Sequence, residues 1–169
     1  MLRLHRFLLL LLLAAASGAC AVDSAQENAL KAAYLYNFAK FIDWPKPFVG
    51  GFNLCLVGRD NFGRSLDSLE SKNVKDQPVR ILRGVGGDSL RQCQILFFSE
   101  RSATARELAQ LAEQGVLTIA ESEGFLDQGG LITLAVEQNR LVFDVNLEAA
   151  RRANFAISAR LLRLARHVR

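Results

Sequence analysis

Short apolar runs of strand length, alternating with segments of helical spacing, decide what this 169-residue chain can fold into. Phe52-Asn-Leu-Cys-Leu-Val57 and Ile95-Leu-Phe-Phe98 are apolar at nearly every position, the pattern of a strand buried on both faces. Val79-Arg-Ile-Leu82 alternates, and Val116-Leu-Thr-Ile119 gives a further strand. Between them, Arg64–Leu69 reads as a short helix. Ala103–Gln114 has helical spacing in Leu108, Leu111 and Ala112, with Gly115 as its stop. Two runs, Leu131–Val136 and Leu141–Val145, flank Glu137-Gln-Asn-Arg140 and predict a β-hairpin. Leu147–Ala153 and Ile157–Val168 are helical in pattern. The order predicts a single α/β domain, a sandwich with a mostly parallel mixed sheet, an antiparallel edge hairpin and helices on both faces. No internal repeat, low-complexity segment or linker divides it.

The densest aromatic segment precedes the first strand. Tyr34, Tyr36, Phe38, Phe41 and Trp44 fall in one helix-sized window, although aromatics make up 8% of the chain. On a helix of 3.6 residues per turn, Leu30, Tyr34, Phe38, Phe41 and Ile42 gather on one face. Ala33, Tyr36, Lys40 and Asp43 take the other. Pro45 ends the helix by excluding Trp44 from helical backbone angles.

The amino terminus carries an address. Arg3 and Arg6 precede the ten-residue apolar run Phe7–Ala16, followed by Ser17-Gly18-Ala19, the order of a secretory signal. The run is about half of the ~20 residues needed to span a bilayer. Residues 1–20 are therefore assigned as a signal peptide and 26–169 as the folded domain. Gly18-Ala19-Cys20 resembles a lipoprotein signal, which would place a lipid on Cys20, although Ser17 departs from that pattern; Ala19-Cys20-Ala21 fits ordinary cleavage, which would discard it and is the favoured reading. Losing Arg3 and Arg6 takes two from the formal charge of +4, so the basic balance is no argument for nucleic acid. Of three cysteines, Cys55 and Cys93 remain in an oxidising compartment. That points to one disulfide, with two buried free thiols as the alternative.

The side chains that usually carry catalysis are scarce. The chain has two histidines, of which His5 lies in the signal and His167 near the other end. Metal sites built from histidine clusters are excluded, and Ser-His-Asp or Cys-His catalysis is disfavoured. No HExxH, CxxC or GxSxG motif occurs. Asp127, Asp144 and Glu148 offer carboxylates for acid–base work, but solvated or structural roles suit them better. Gly58-Arg-Asp-Asn-Phe-Gly63-Arg64-Ser65 has the spacing of a phosphate-binding loop with arginine in place of its lysine, and reads as a structural turn. Gly129-Gly130 is read as backbone chemistry, because glycine tolerates positive φ. The closing stretch carries Arg151, Arg152, Arg160, Arg163, Arg166 and Arg169 and no acidic residue. With Ile157, Leu161, Leu164 and Val168 as an apolar stripe, it predicts an amphipathic helix docked on the sheet with an arginine face.

Several segments in order resemble one family. Lys31-Ala-Ala-Tyr-Leu-Tyr-Asn-Phe-Ala-Lys-Phe-Ile-Asp-Trp-Pro45 is similar to the opening helix of YfiR-like (YfiR/HmsC-type) periplasmic proteins. Leu54-Cys-Leu-Val-Gly58 with Asn61-Phe-Gly63, Cys93 before Ile95–Ser99, Leu117-Thr-Ile119, Gly124-Phe, Gly129-Gly130, Phe143–Leu147 and Ser158–Leu162 continue the likeness. The resemblance implies a non-enzymatic periplasmic repressor, without cofactor or metal. It would bind the periplasmic sensor portion of an inner-membrane diguanylate cyclase and lower cyclic-di-GMP, exopolysaccharide and biofilm formation. An outer-membrane lipoprotein would sequester it, and it would tend to form homodimers. Cys55 and Cys93 match the family's central disulfide; a second pair found in some members has no counterpart. Such an interface needs exposed apolar anchors, and Phe125, Leu126, Arg160 and Arg163 are the candidates. A periplasmic sensor of an anionic or aromatic small ligand is the alternative reading.

Overall fold

The computed structural model describes residues 19–48, 50–100 and 103–169, without side chains for 19–23. The export segment and the Cys20 side chain lie outside the described residues.

Eight strands form one sheet. In chain order these are β2 (Phe52–Val57), β3 (Asn73–Val74), β4 (Gln77–Leu82), β5 (Ile95–Phe98), β6 (Leu117–Ala120), β7 (Ile132–Glu137), β8 (Arg140–Val145) and β10 (His167–Val168). Across the sheet they lie in the order β10-β8-β7-β6-β5-β2-β4-β3. Strands β4, β2, β5, β6 and β7 are mutually parallel, and β8 turns back antiparallel to β7. The predicted hairpin is closed by Gln138 and Asn139, both at positive φ, as a two-residue turn that matches strand twist requires. A second such turn, Lys75-Asp76, joins β3 to β4. Lys-Asp is a weak turn signature, and β3 was not predicted.

Alternation along the strands sends side chains to two apolar layers. Phe52, Leu54, Leu56, Ile95, Phe97, Leu117, Ile119, Leu134 and Phe143 point to one face. There they meet α1 (Ala19–Phe41), α3 (Leu147–Arg152) and the single-turn α4 (Ala159–Leu162). Cys55, Val57, Leu96 and Phe98 point to the other and pack with Leu108 and Leu111 of α2 (Ala105–Glu113). The amino end of α2 is fixed by a reciprocal cap: Glu107 N–H donates to Thr104 Oγ1, and Thr104 N–H donates to the Glu107 carboxylate at 2.8 Å. Gly115, at φ +87°, ends it as predicted.

The aromatic helix is the main cover of the first face, but its buried stripe is rotated from the predicted one. Ala32, Leu35, Phe38, Ala39 and Ile42 are fully buried, whereas Leu30 is 44% exposed. The two alanines let the helix sit close to the sheet, and Leu35 takes the place predicted for Leu30. Tyr34 is half-buried at the margin, its hydroxyl donating to the Leu141 carbonyl, and its ring meets Phe38 and Phe143 edge-on. Tyr36 lies on the outer side under the Lys40 and Lys72 ammoniums, and its hydroxyl donates to the Asn73 carbonyl. After the helix, β1 (Ile42–Asp43) pairs antiparallel with β9 (Ala156–Ile157). Trp44 then turns under the sheet against Phe48, Phe52 and Phe155.

The predicted helix over Ile157–Val168 does not form. That stretch is β9, one turn of helix capped by the Ser158 side chain, and β10. Long-range bonds win over its helical spacing. Ser158 N–H donates to the Phe41 carbonyl, and Arg166 and Arg169 N–H donate to carbonyls of β8. The Arg166 guanidinium also grips Asp144 with two hydrogen bonds, at 2.9 and 2.6 Å.

Candidate interaction surface

Cys55, in the middle of β2, and Cys93, just past the 3₁₀ helix Gly87–Gln92, form a disulfide beneath α2. Both are fully buried. The 3₁₀ helix itself contributes no fully buried residue; the bridge and the half-buried Leu90 tie it to the second layer. Asn53 Nδ2, donating to the Gln92 carbonyl, and Val85 N–H, donating to that of Leu56, complete the attachment.

The phosphate-loop spacing proves structural. Phe62 is buried against Phe97, and a 3₁₀ helix, Gly63–Leu69, follows it in place of an α-helix. Arg83 closes the loop by bonding Asp60, Asp67 and the Gly63 carbonyl. The Asp60 hydrogen bond holds the Arg83 pKa above its ordinary value against partial burial.

Phe125 and Leu126, expected as exposed anchors, are 1% and 6% exposed. They belong to the second apolar layer, where Phe125 meets Phe98 with ring centroids 5.8 Å apart. Gly130 explains the close fit: a Cβ there would come within 3.0 Å of three Phe125 ring carbons. The demand at Gly130 is therefore for space, while Gly129, at φ +97°, meets the conformational demand predicted for the pair. Arg160 and Arg163 are both exposed. Arg160 lies over the Phe41 ring, 5.6 Å from its centroid, and Leu164 beside them is 70% exposed.

At the opposite end of α1, ion pairs that the sequence reading had missed tie the helix to the sheet. Lys31 is the single charged side chain buried among the described residues, and its ammonium bonds Glu27 at 2.6 Å and Glu121 at 2.5 Å. Burial opposes its charge, but hydrogen bonds to Glu121 and Glu27 and their charges outweigh that, so its pKa is raised. The Glu27–Lys31 spacing of four was the available signal; Glu121 was not foreseeable. Asp144, expected to be solvated or structural, is mostly buried and accepts from Arg166 and from the His167 N–H. The Arg166 hydrogen bond holds its pKa below the usual carboxylate value, against desolvation. Beside these pairs, two shallow grooves meet at Val136.

No group of three or more potential metal ligands converges among the described residues. Nor is any helix there long and apolar enough to cross a membrane. The class these features define is a disulfide-braced, single-domain α/β protein whose grooves, among the described residues, are open to the surface. The chain belongs to the YfiR/HmsC-like family, whose model matches residues 28–166. That membership supports a periplasmic regulatory role rather than a catalytic one. Its fold is similar to that of a conserved domain protein from Vibrio cholerae O1 biovar eltor, with a TM-score of 0.51 at 8% identity. The likeness covers 82% of this chain but 60% of the other, and it concerns the fold alone. No curated protein matches the chain in sequence.

Proposed function

We propose that this protein is a periplasmic repressor that binds the periplasmic sensor portion of an inner-membrane diguanylate cyclase. Binding would lower cytoplasmic cyclic-di-GMP and, with it, exopolysaccharide and biofilm output. The observation that carries the reading is the family match across nearly all of the described domain. The mechanism is a population shift: the repressor acts by as much as its affinity for the inactive cyclase exceeds that for the active one. Taking a receptor from 99% active to 99% inactive needs a preference of roughly 10⁴-fold. An outer-membrane lipoprotein that competes for the repressor would restore activity, and a repressor released without a lipid on Cys20 is the form that could move between the two membranes.

Arg160 and Arg163, exposed beside Leu164, are the contact residues proposed for this binding. The test places the exported protein on the periplasmic side of vesicles that contain the full-length cyclase and measures cyclic-di-GMP synthesis on the other side. Dose-dependent repression is expected, weakened by the double variant Arg160→Glu/Arg163→Glu with an unchanged melting temperature. Synthesis that stays constant at saturating repressor refutes the function. Repression by the double variant equal to wild type removes those arginines from the interface.

A further inference from the structure

Large apolar side chains exposed among the described residues are Leu30, Val136, Leu164 and Val168. Leu30 on α1 and Val136 on β7 are far apart in sequence, yet they line one groove between the helix and the hairpin. Val136 also lines a second groove of about 380 Å³ along the outer face of the hairpin, below the loop at Ser122–Leu126. It is the crest that both share. Leu30 and Val136 are 44% and 50% exposed, so the centre of this surface is apolar and uncovered.

The rim is acidic on a chain whose formal balance is +4. Five carboxylates line the two grooves (Glu27, Glu121, Glu123, Glu137 and Asp144), against the guanidiniums of Arg166 and Arg169. Lys31 beneath is shared by Glu27 and Glu121 and so leaves part of their charge unmatched. Asp144 is committed to Arg166, which reaches Glu137 at 3.6 Å. Glu123 is exposed. In the wall of the second groove, Thr133 Oγ1 is buried and has no hydrogen-bond partner. Phosphate, an acidic peptide or anionic headgroups would all meet this excess of negative charge. An apolar centre inside a charged rim is the anatomy of a protein-binding patch, with the centre supplying affinity and the rim steering encounter.

We propose that this surface docks a basic peptide segment with apolar side chains at its centre, belonging to the partner protein. The inference rests on the regulatory reading above and names the chemistry of its contact. The apolar side chains of that segment cover Leu30 and Val136, and its lysines or arginines face Glu123 and Glu137. Arg160 and Arg163 lie at the other end of α1, about 16 Å away for the eleven-residue rise from Leu30 to Phe41. A partner that touches both ends therefore presents opposite charges along its length.

Two probes are measured by fluorescence anisotropy against the exported protein. One is a labelled 14-residue peptide of Leu and Lys at helical spacing, together with its Glu-for-Lys counterpart; the other is the isolated periplasmic portion of the cyclase. The variants are Leu30→Asp, Val136→Asp and the pair Glu123→Lys/Glu137→Lys, with Arg91→Glu on a distant surface as control. All replace exposed side chains, and melting curves verify folding. The Lys peptide is expected to bind and the Glu peptide not. Val136→Asp should weaken binding at least ~10-fold. The rim pair should weaken it several-fold and flatten its salt dependence. The control should bind as wild type does. Failure of the Lys peptide to bind, equal binding of both peptides, or groove variants that bind like wild type overturns the proposal. So does a homodimer in sedimentation that Val136→Asp dissolves, since the occupant would then be a second copy. If the groove variants lose the Lys peptide while the cyclase portion never binds the wild type, the docking chemistry stands and the regulatory reading falls. Cyclase binding that survives every groove variant has the reverse meaning.

Discussion

Removing the Cys55–Cys93 bridge by the double variant Cys55→Ala/Cys93→Ala should cost the domain much of its margin of stability. The cysteines are 38 residues apart. The chain-entropy relation gives about 4 kcal/mol for a loop of that length, because the unfolded chain regains the freedom that the link removed. For a domain of roughly 150 residues this lowers the melting temperature by about 8–16 °C. Alanine is the right replacement, since both sulfurs are buried in the second apolar layer and serine would add an unpaired hydroxyl. Equilibrium urea unfolding of the oxidised wild type and the variant measures the difference. Hydrogen exchange supplies the local check. Gly84–Gln92, with no fully buried residue in its 3₁₀ helix, should exchange faster in the variant by a larger factor than β2 does. A loss below ~1 kcal/mol, with exchange in 84–92 unchanged, would refute both the energetic argument and the fastening role.

Three further outcomes follow from the packing and the charges. Gly130→Ala drives a methyl group into the Phe125 ring and should destabilise the domain by at least ~1–3 kcal/mol in urea unfolding; Gly130→Ala combined with Phe125→Leu should recover part of that loss. Phe38→Ala empties the place where α1 meets Phe143, with ring centroids 5.1 Å apart, and should cost about 3–5 kcal/mol. Asp144 is held below its ordinary pKa in the folded state, so its contribution is present above the unfolded value near pH 4 and is lost as pH falls through the folded value. Asp144→Asn should therefore be less stable than wild type at neutral pH, and urea midpoints measured from pH 7 to pH 2 should converge at the acid end.

Much of this architecture was legible because its signals are local. The central parallel strands β2, β5 and β6 are continuous apolar runs, the hairpin has two periodic halves around a polar turn, and Gly115 is a stop whose backbone chemistry allows little else; α1, by contrast, ends at Phe41, before the stop expected at Pro45, because Ile42 and Asp43 pair with β9. What was illegible depended on distant partners. Ile157, Leu161, Leu164 and Val168 have helical spacing, but β1 captures Ile157 as strand at one end and the Asp144–Arg166 pair with the open edge of β8 captures His167–Val168 at the other, leaving one turn of helix between. Leu35 displaced Leu30 from the core because Ala32 and Ala39 decide how α1 lies on the sheet, and helical period alone does not weigh small residues. Phe125 and Leu126 sit in a glycine-rich loop that looks solvent-facing; their burial depends on the space Gly130 leaves. For the candidate surface, an export-type chain poor in histidine pointed to binding rather than catalysis, whereas the meeting of Leu30 with Val136 is a product of topology.

The way α1 is held has a consequence for how the molecule is made. Tyr34 bonds a carbonyl 107 residues further along the chain, and Ile42 pairs with Ile157. In a polypeptide synthesised amino end first, the aromatic helix emerges well before β8, β9 and α4, which cover it. During that interval Phe38 and its neighbours are uncovered, so the helix closes onto the sheet late and the nascent chain is vulnerable to aggregation until it does. Variants that slow this last closure should reduce the yield of folded protein more than they reduce the stability of whatever protein is recovered.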